Sequence, residues 1–441
     1  MTIAVFEYDM IAKEGTPGTG PRVPARVFTW LETQSLQDSE DKPRWLRPAI
    51  CNGKRAVKVT NYAGVVRAPC GFQIEVLPKT GKATSIAEAR SVLLRMLSCL
   101  GEFRHVRLNE AHLMTRPAPL LDAFIAHFLD AVDLLVRQGL RGGYASYEED
   151  LIALRGKLAF SRHIRNNLTR RDRFSVEHDD FRFDRPENRL ILTAIDRVRA
   201  LTNSSQLKRQ ARLLAMPFDG IPQSRHIAQD IQASRIERDM QRYQTPLAWA
   251  RLILQHLAPL TGSGDQWAPS LLYPMEALFE AYVYHHLSRQ LPPGYKLKKQ
   301  ACSEYLTTHK GQRWFQLKPD LLLIGPNGTE AVLDTKWKLL DASKGDNRSK
   351  YGLSQADFYQ LYAYGQHYLS GNSKMALVYP QSDNLAHALA PFNFPRSDNV
   401  SMSIEPFCLD DPKDSSDTLI DSILSQDDQA SQEAASCNSL D

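Results

Sequence analysis

Two apolar runs, Leu321–Ile324 and Ala331–Leu333, lie on either side of Gly325-Pro326-Asn327-Gly328, and no other stretch constrains the fold as tightly. Short apolar runs bounded by Gly, Pro and Asn read as buried strands folded back on each other. Pro326 suits the first central position of a type I turn, Asn327 the second and Gly328 a left-handed third, which predicts a three-residue loop with a bulge. Gly325 then faces Thr329, and Asp320 falls opposite Asp334. A two-residue Asn-Gly turn would instead set Asp320 opposite Thr335, on the wrong face. Side chains alternate along a strand, so Lys336 shares the face of Asp334. Two carboxylates and an ammonium therefore converge from strands expected at Phe315–Ile324 and Glu330–Leu339. Burying such charges among apolar residues without a function would be costly.

The elements around this hairpin read, from Tyr273 on, as helix, strand, hairpin, strand, helix, strand, an α/β order. A helix over Pro274–Leu287 places Glu276 and Glu280 four residues apart. A second helix, Ser354–Leu369, sets Gln360 and Tyr364 on one face with Asp357 a turn earlier, and a strand Lys374–Tyr379 closes the unit. The carboxylate pair suits Mg²⁺, or Mn²⁺ in its place, which takes hard oxygen ligands and polarises a phosphoryl group. Lys336 would orient a water or neutralise charge growing on the phosphate. Gln360 would position a ligand carboxylate or the phosphate, and Tyr364 would contact the DNA backbone. Tyr359, Tyr362 and Tyr368 read as core.

Upstream, short apolar runs at Ala56–Thr60, Gly64–Ala68 and Phe72–Leu77 make the first hundred residues β-rich, with a loop over Gln34–Lys42. Helical spacing follows Ser85, runs through Leu120–Arg137, and returns at Arg189–Leu201 and Ser205–Ala215. Residues 155–173 carry seven bases and one acid, so Arg162, Arg165, Arg170 and Arg171 are candidates for a DNA-backbone or protein-docking face. Gly262-Ser263-Gly264 punctuates the chain. These features predict a β-rich and helical region at 1–240, a linker at 241–264, a domain holding the carboxylate–lysine set at 265–425 and an acidic disordered tail at 426–441.

Charge separates the tail from the body. Nine acids and one base lie from Asp410 onward, leaving 53 bases against 41 acids, or +12, in residues 1–409. A positive body is permissive for a polyanion, whose condensed counterions are released on binding. The six cysteines show no CxxC pair and no neighbouring histidines in sequence, which predicts neither a zinc site nor a disulfide framework. No apolar run approaches a membrane span, and the start lacks a basic segment followed by a long apolar one, so a soluble cytoplasmic protein without a membrane partner is expected.

Lys318-Pro319-Asp320, Asp334-Thr335-Lys336 and Gln360-x-x-x-Tyr364 together resemble the PD-(D/E)xK nuclease superfamily. Leu278–Val283, Arg155–Leu158 and the set Phe181, Asp184, Asn188, Arg189 and Leu190 are similar to McrC, the nuclease subunit of the McrBC modification-dependent restriction system. The resemblance implies an α+β multidomain chain with a β-rich and helical N-terminal region and a C-terminal restriction-endonuclease-like α/β domain. It implies a Mg²⁺-dependent endonuclease with Asp320, Asp334 and Lys336 in its centre, joined by Gln360 and, as a further metal ligand, Glu280. It also implies a hexameric McrB-like AAA+ GTPase that recognises and translocates double-stranded methylcytosine-containing DNA, with room for pairing of two nuclease domains. The chain has no Walker A pattern of its own, which fits a borrowed motor. A stand-alone nuclease of the superfamily in repair or defence is the rival enzyme, and a non-cleaving scaffold that regulates a motor is the rival of another class.

Overall fold

The computed structural model describes residues 2–18, 20–36, 44–81, 84–100, 119–167, 169–170, 172–256, 270–326, 328–369, 373–394 and 397–424. It is a mixed α/β chain that divides into two compact units, one formed by Met1–Gly101 with Leu272–Asp441 and the other by Glu102–Leu271. The predicted line at 241–264 lies elsewhere. Gln244–His256 is a helix whose Leu247, Trp249, Ile253 and Leu254 are buried, so this stretch belongs to a core and not to a linker. Gly262-Ser263-Gly264 and the tail 426–441 lie outside the described residues.

The first unit opens with strands β1 (Thr2–Phe6), β2 (Met10–Lys13) and β3 (Arg22–Val23), and helix α1 (Ala25–Leu36). Strands β4 (Leu46–Cys51), β5 (Lys54–Val59), β6 (Tyr62–Arg67) and β7 (Gln73–Leu77) follow, then helix α2 (Ile86–Ser98). The expected loop thus begins later, since Gln34 to Leu36 complete α1. Two four-stranded sheets result, one ordered β3-β2-β5-β4 and one ordered β1-β7-β6 with Ser270–Pro274 as its last strand. Val57, Val59, Val66, Ile74 and Val76 form their shared core with Val27 and Leu31 of α1. Ser85 starts α2 by a capping box: its hydroxyl accepts the Glu88 N–H while the Glu88 carboxylate accepts the Ser85 N–H.

In the second unit, helix α3 (Leu120–Gln138) precedes β8 (Gly143–Leu151), β9 (Lys157–Leu158), helix α4 (Phe160–Asn167) and β10 (Phe174–Arg182). Helices α5 (Pro186–Leu201), α6 (Ser205–Ala215), α7 (Ile227–Ala233) and α8 (Gln244–His256) complete it. Strands β8 and β10 pair antiparallel along their whole length, with β9 on the other edge of β10. Pro186 opens α5 at a position where its missing N–H costs nothing.

The chain re-enters the first unit at β11 (Ser270–Pro274), followed by α9 (Met275–Gln290), β12 (Lys296–Lys299), the hairpin β13 (Tyr305–His309) and β14 (Gln312–Gln316), then β15 (Leu321–Gly325) and β16 (Gly328–Thr335). Helix α10 (Gln355–Tyr368), β17 (Ser373–Pro380), β18 (Leu389–Phe394), β19 (Ser397–Phe407) and α11 (Pro412–Leu424) end the described chain. A six-stranded sheet has the order β12-β15-β16-β17-β19-β18. β16 pairs antiparallel with β15 and parallel with β17, which requires the crossover that α10 supplies. Helix α11 also shows that acids from Asp414 to Asp421 ride on a packed helix whose Leu419, Ile420 and Ile423 are buried.

The register of β15 and β16 follows the predicted sum: Leu321 faces Leu333, Leu322 faces Val332 and Leu323 faces Ala331. The turn differs. Gly325 pairs with Gly328, and the extra residue is taken up inside the strand at the Leu323/Ile324 shift, so the bulge sits deeper than a three-residue loop would put it. The expected strand Phe315–Ile324 is also broken. Phe315 has a left-handed φ of 57°, and Pro319 lacks the N–H a ladder needs.

Gly365 sets how closely α10 lies on the sheet, because a Cβ there would land on Met375 Sδ of β17. Gly365→Ala should therefore lower unfolding stability by about 1–3 kcal/mol through overpacking. Urea denaturation of the full chain checks this, and Gly365→Ala should cost less in a Met375→Ala background than in the wild type, because the two sites share one contact.

Candidate active site

Asp334 lies on β16 with β15 on one side and β17, through Leu377, on the other, which leaves it 2% exposed. Asp320 immediately precedes β15 and extends the same register to stand opposite it. Thr335 holds Asp320 in place, its N–H and its hydroxyl both donating to Asp320 Oδ2 at 2.7 Å. Lys336 Nζ lies 2.7 Å from Asp334 Oδ2 and 3.9 Å from Asp357 Oδ1. It also donates to Gln360 Oε1 at 3.1 Å, and Gln360 Nε2 donates to the Tyr364 hydroxyl at 2.9 Å. Asp320, Asp334, Lys336, Gln360 and Asp357 are thus brought together by one hairpin and one helix.

Glu280, on α9, stands at the edge of this group and accepts from Gln300 Nε2 at 3.2 Å. Burial and then the Asp320 charge hold its carboxyl above the usual range. Tyr364 is 6% exposed and its hydroxyl props Gln360, so it does not present itself to a DNA backbone as predicted. The basic candidates belong to the second unit. Arg162 is engaged by Glu148, at 2.9 Å to its carbonyl and 3.3 Å to its carboxylate, Arg165 and Arg170 are exposed, and Arg171 lies outside the described residues. Thr335, Gln300 and Asp357 are the contributors that spacing alone did not mark for roles. Asp357 sits one turn before Gln360, which was the available sign.

Electrostatics favour a cation here. Burial, then the Asp320 charge, push Asp334 up to about 7. Burial pulls the Lys336 ammonium down, but Asp334, Asp357 and Asp320 together outweigh it and the net shift is upward. Asp334 Oδ2 is buried, and its close partner is the Lys336 ammonium at 2.7 Å. Three carboxylates, Asp320, Asp334 and Asp357, gathered around a single ammonium are a set of hard oxygen donors that fits a divalent ion such as Mg²⁺.

A second group of donors escaped the sequence altogether. Cys99, at the end of α2, and His285 and His286, on α9, offer ligand atoms within 4.8 Å of one another, the one such group of three among the described residues. Cys99 thus does have neighbouring histidines, in space and not in sequence. Burial, together with nearby cations, holds both imidazoles below their ordinary value, His286 at about 4, and burial pushes the Cys99 thiol up to about 11.

Comparison with known proteins bears on this geometry. Residues 57–380 match the family model of the McrBC 5-methylcytosine restriction system component. A chain of the refined half-complex from the tetradecameric assembly of Thermococcus gammatolerans McrB AAA+ hexamers with bound McrC is similar in fold. The TM-score is 0.68 at 19% identity, over 92% of this chain and 95% of that one. A chain of the cryo-EM structure of the Thermococcus gammatolerans McrBC complex aligns with a TM-score of 0.49 at 20% identity, over 66% of this chain and 88% of that one. No curated protein matches the chain. Among the described residues, no helix is long and apolar enough to cross a membrane.

The raised Asp334 carboxyl makes stability depend on pH. Its folded value of about 7 exceeds its ordinary 3.8, so between the two the folded chain holds a proton the unfolded chain has lost, and stability falls as pH rises. Glu7, pushed by burial to about 7, adds to the same slope. In chelator, the melting temperature should therefore fall between pH 5 and 7. Asp334→Asn should flatten that fall without removing it. Added Mg²⁺ above pH 7 should raise the melting temperature of the wild type and leave Asp334→Asn unmoved.

Proposed function

The chain belongs to the McrBC 5-methylcytosine restriction system component family, and from that premise we propose that it is the DNA-cleaving subunit of a methylcytosine-dependent restriction complex. The observation that carries this reading is the convergence of Asp320, Asp334 and Lys336 at the C-terminal end of the interior strand β16, with Lys336 Nζ 2.7 Å from the buried Asp334 Oδ2. The β15–β16 hairpin with its α10 crossover is the restriction-endonuclease-like domain of the PD-(D/E)xK class. Asp334 and Asp320, with Glu280 at the edge, would hold Mg²⁺ or Mn²⁺, whose contribution when bound is Lewis-acid polarisation of the phosphodiester.

The chain's own residues do the rest. Thr335 fixes the orientation of Asp320 by two hydrogen bonds, leaving its other oxygen free of that task. Lys336, held between Asp334 and Gln360, places a positive charge where the phosphoryl oxygens gain negative charge as the bond breaks. Gln360 gives the ammonium a second acceptor beside Asp334, and Tyr364 accepts from Gln360 Nε2 and so holds its amide oxygen toward Lys336.

Target choice would then come from a partner, an AAA+ hexamer of the kind bound to McrC in the Thermococcus assembly. The second unit has a surface suited to a protein partner. Tyr144, Phe160, Ile164, Phe181 and Phe183 are all exposed on β8, α4 and the end of β10. Tyr144 and Phe183 each meet the Phe181 ring, at centroid separations of 5.2 and 5.5 Å. Exposed apolar clusters of this kind mark interaction sites. The nearby bases are partly answered within the sheet, Arg155 by Asp180 at 3.6 Å and Arg162 by Glu148, which favours protein docking over a DNA clamp.

Two experiments test this. In Mg²⁺ with the GTPase present, Asp334→Asn and Lys336→Ala should each slow DNA cleavage by roughly 10²-fold or more while GTP turnover is kept. Cleavage at wild-type rates by either variant would remove the site assignment, and cleavage by the chain without any GTPase would favour the stand-alone nuclease. Separately, Tyr144→Glu with Phe181→Glu should abolish stimulation of GTP hydrolysis and leave the melting temperature unchanged. Full stimulation by that variant would move docking to another surface.

A further inference from the structure

We propose that the β13–β14 hairpin is a DNA-gripping element that holds the duplex beside the scissile phosphate by phosphate contacts and by aromatic side chains packed into its groove. The inference rests on the nuclease reading and adds to it the surface that engages the substrate. The hairpin forms a two-stranded sheet of its own, apart from the six-stranded sheet, and every residue of β14 is exposed. Such a hairpin is marginal in water unless it is anchored. Its roots are anchored. The Tyr368 hydroxyl, on α10, lies 2.9 Å from the Leu317 carbonyl and 3.2 Å from that of Ala301, and accepts the Glu304 N–H at 3.2 Å. Gln316 Nε2 donates to the Cys302 carbonyl at 2.8 Å.

One helix therefore holds Gln360 beside Lys336 and, two turns on, clamps the base of the hairpin. At its other end the hairpin leads through Leu317, Lys318 and Pro319 directly into Asp320. Whatever the hairpin binds is registered against the reacting centre.

Its surface chemistry selects the partner. From Tyr305 to Lys318 there are His309, Lys310, Arg313 and Lys318 and no acid. Lys310 and Gly311 form the tip, both with positive φ, as a type I′ turn requires. Trp314 is 45% and Phe315 67% exposed, with Trp314 edge-on to His309 at 5.4 Å. Against a duplex, exposed aromatic side chains pack in the groove or wedge between base steps, and cations beside them meet phosphates without reading sequence. A subunit that leaves target choice to another protein needs a grip of this sequence-tolerant kind.

The test uses the full chain and a duplex of about 30 base pairs in EDTA, so that binding is read apart from cutting, at several salt concentrations. Lys310→Glu with Arg313→Glu should weaken binding at least tenfold and lower the slope of log affinity against log salt by about 2. Trp314→Ala with Phe315→Ala should weaken it roughly tenfold with little change in slope. Unchanged melting temperatures show that both variants fold. Wild-type affinity and slope in both variants would overturn the inference, as would a wild-type chain that binds no duplex at all. Loss of GTPase stimulation with DNA binding intact would assign the hairpin to the motor protein and overturn it too. A wild type that binds through the hairpin but cuts nothing in Mg²⁺ would leave this inference standing and remove the nuclease.

Discussion

A carboxylate buried in the middle of a sheet has to be answered by other charges, and the neighbourhood of Asp334 is arranged around that demand. Lys336 arrives from the same strand two residues on, Asp320 from the strand beside it, and Gln360 and Asp357 from the helix that crosses between the parallel strands. The apolar flanks Leu321–Leu323 and Ala331–Leu333 keep water out on both sides, which raises the Asp334 carboxyl and makes the site ask for a cation. Without the crossover helix the ammonium would have one partner in place of three, and without the strand pairing the two aspartates would not meet.

Those relations were legible because they depend on period. Side chains alternate with a repeat of two, so a register read from a turn carries over to residues several pairs away. The prediction survived an error in the turn itself. The loop is one residue shorter than expected, but the Leu323/Ile324 shift restores the count before the strands reach Asp320 and Asp334. Helical period gave Gln360 and Asp357 in the same way. What period could not convey was depth: Tyr364 sits on the correct face and one layer too low to touch a ligand.

Relations between distant residues were illegible for the opposite reason. Cys99 and His286 are 187 positions apart, and nothing in either local pattern points to the other. The unit boundary was misplaced because Gly262-Ser263-Gly264 looks like punctuation, whereas the core membership of α8 is decided by contacts with α3 and α5. The upstream stretch shared with the McrC resemblance gains a physical reason from the fold. Asn188 Nδ2 donates to the carbonyls of Arg141 and Phe183, its Oδ1 accepts from the Tyr243 hydroxyl, and Arg189 joins Asp184 to Asp230. These residues tie the second unit's helices together.

The first unit is discontinuous, and Glu7 and Trp337 form one of the seams between its two segments. The Trp337 indole N–H donates to both Glu7 oxygens, at 2.8 and 3.0 Å, across 330 positions of sequence. During synthesis Glu7 leaves the ribosome long before its indole donor exists, while the whole of residues 102–271 can assemble in the interval. In that interval Glu7 accepts from the Lys79 N–H, and its indole donor arrives just after the strand carrying Asp334, ahead of the helix that brings Asp357 and Gln360. A chain truncated before Trp337 would leave Glu7 without its indole donor and the first unit half-built and exposed to proteolysis.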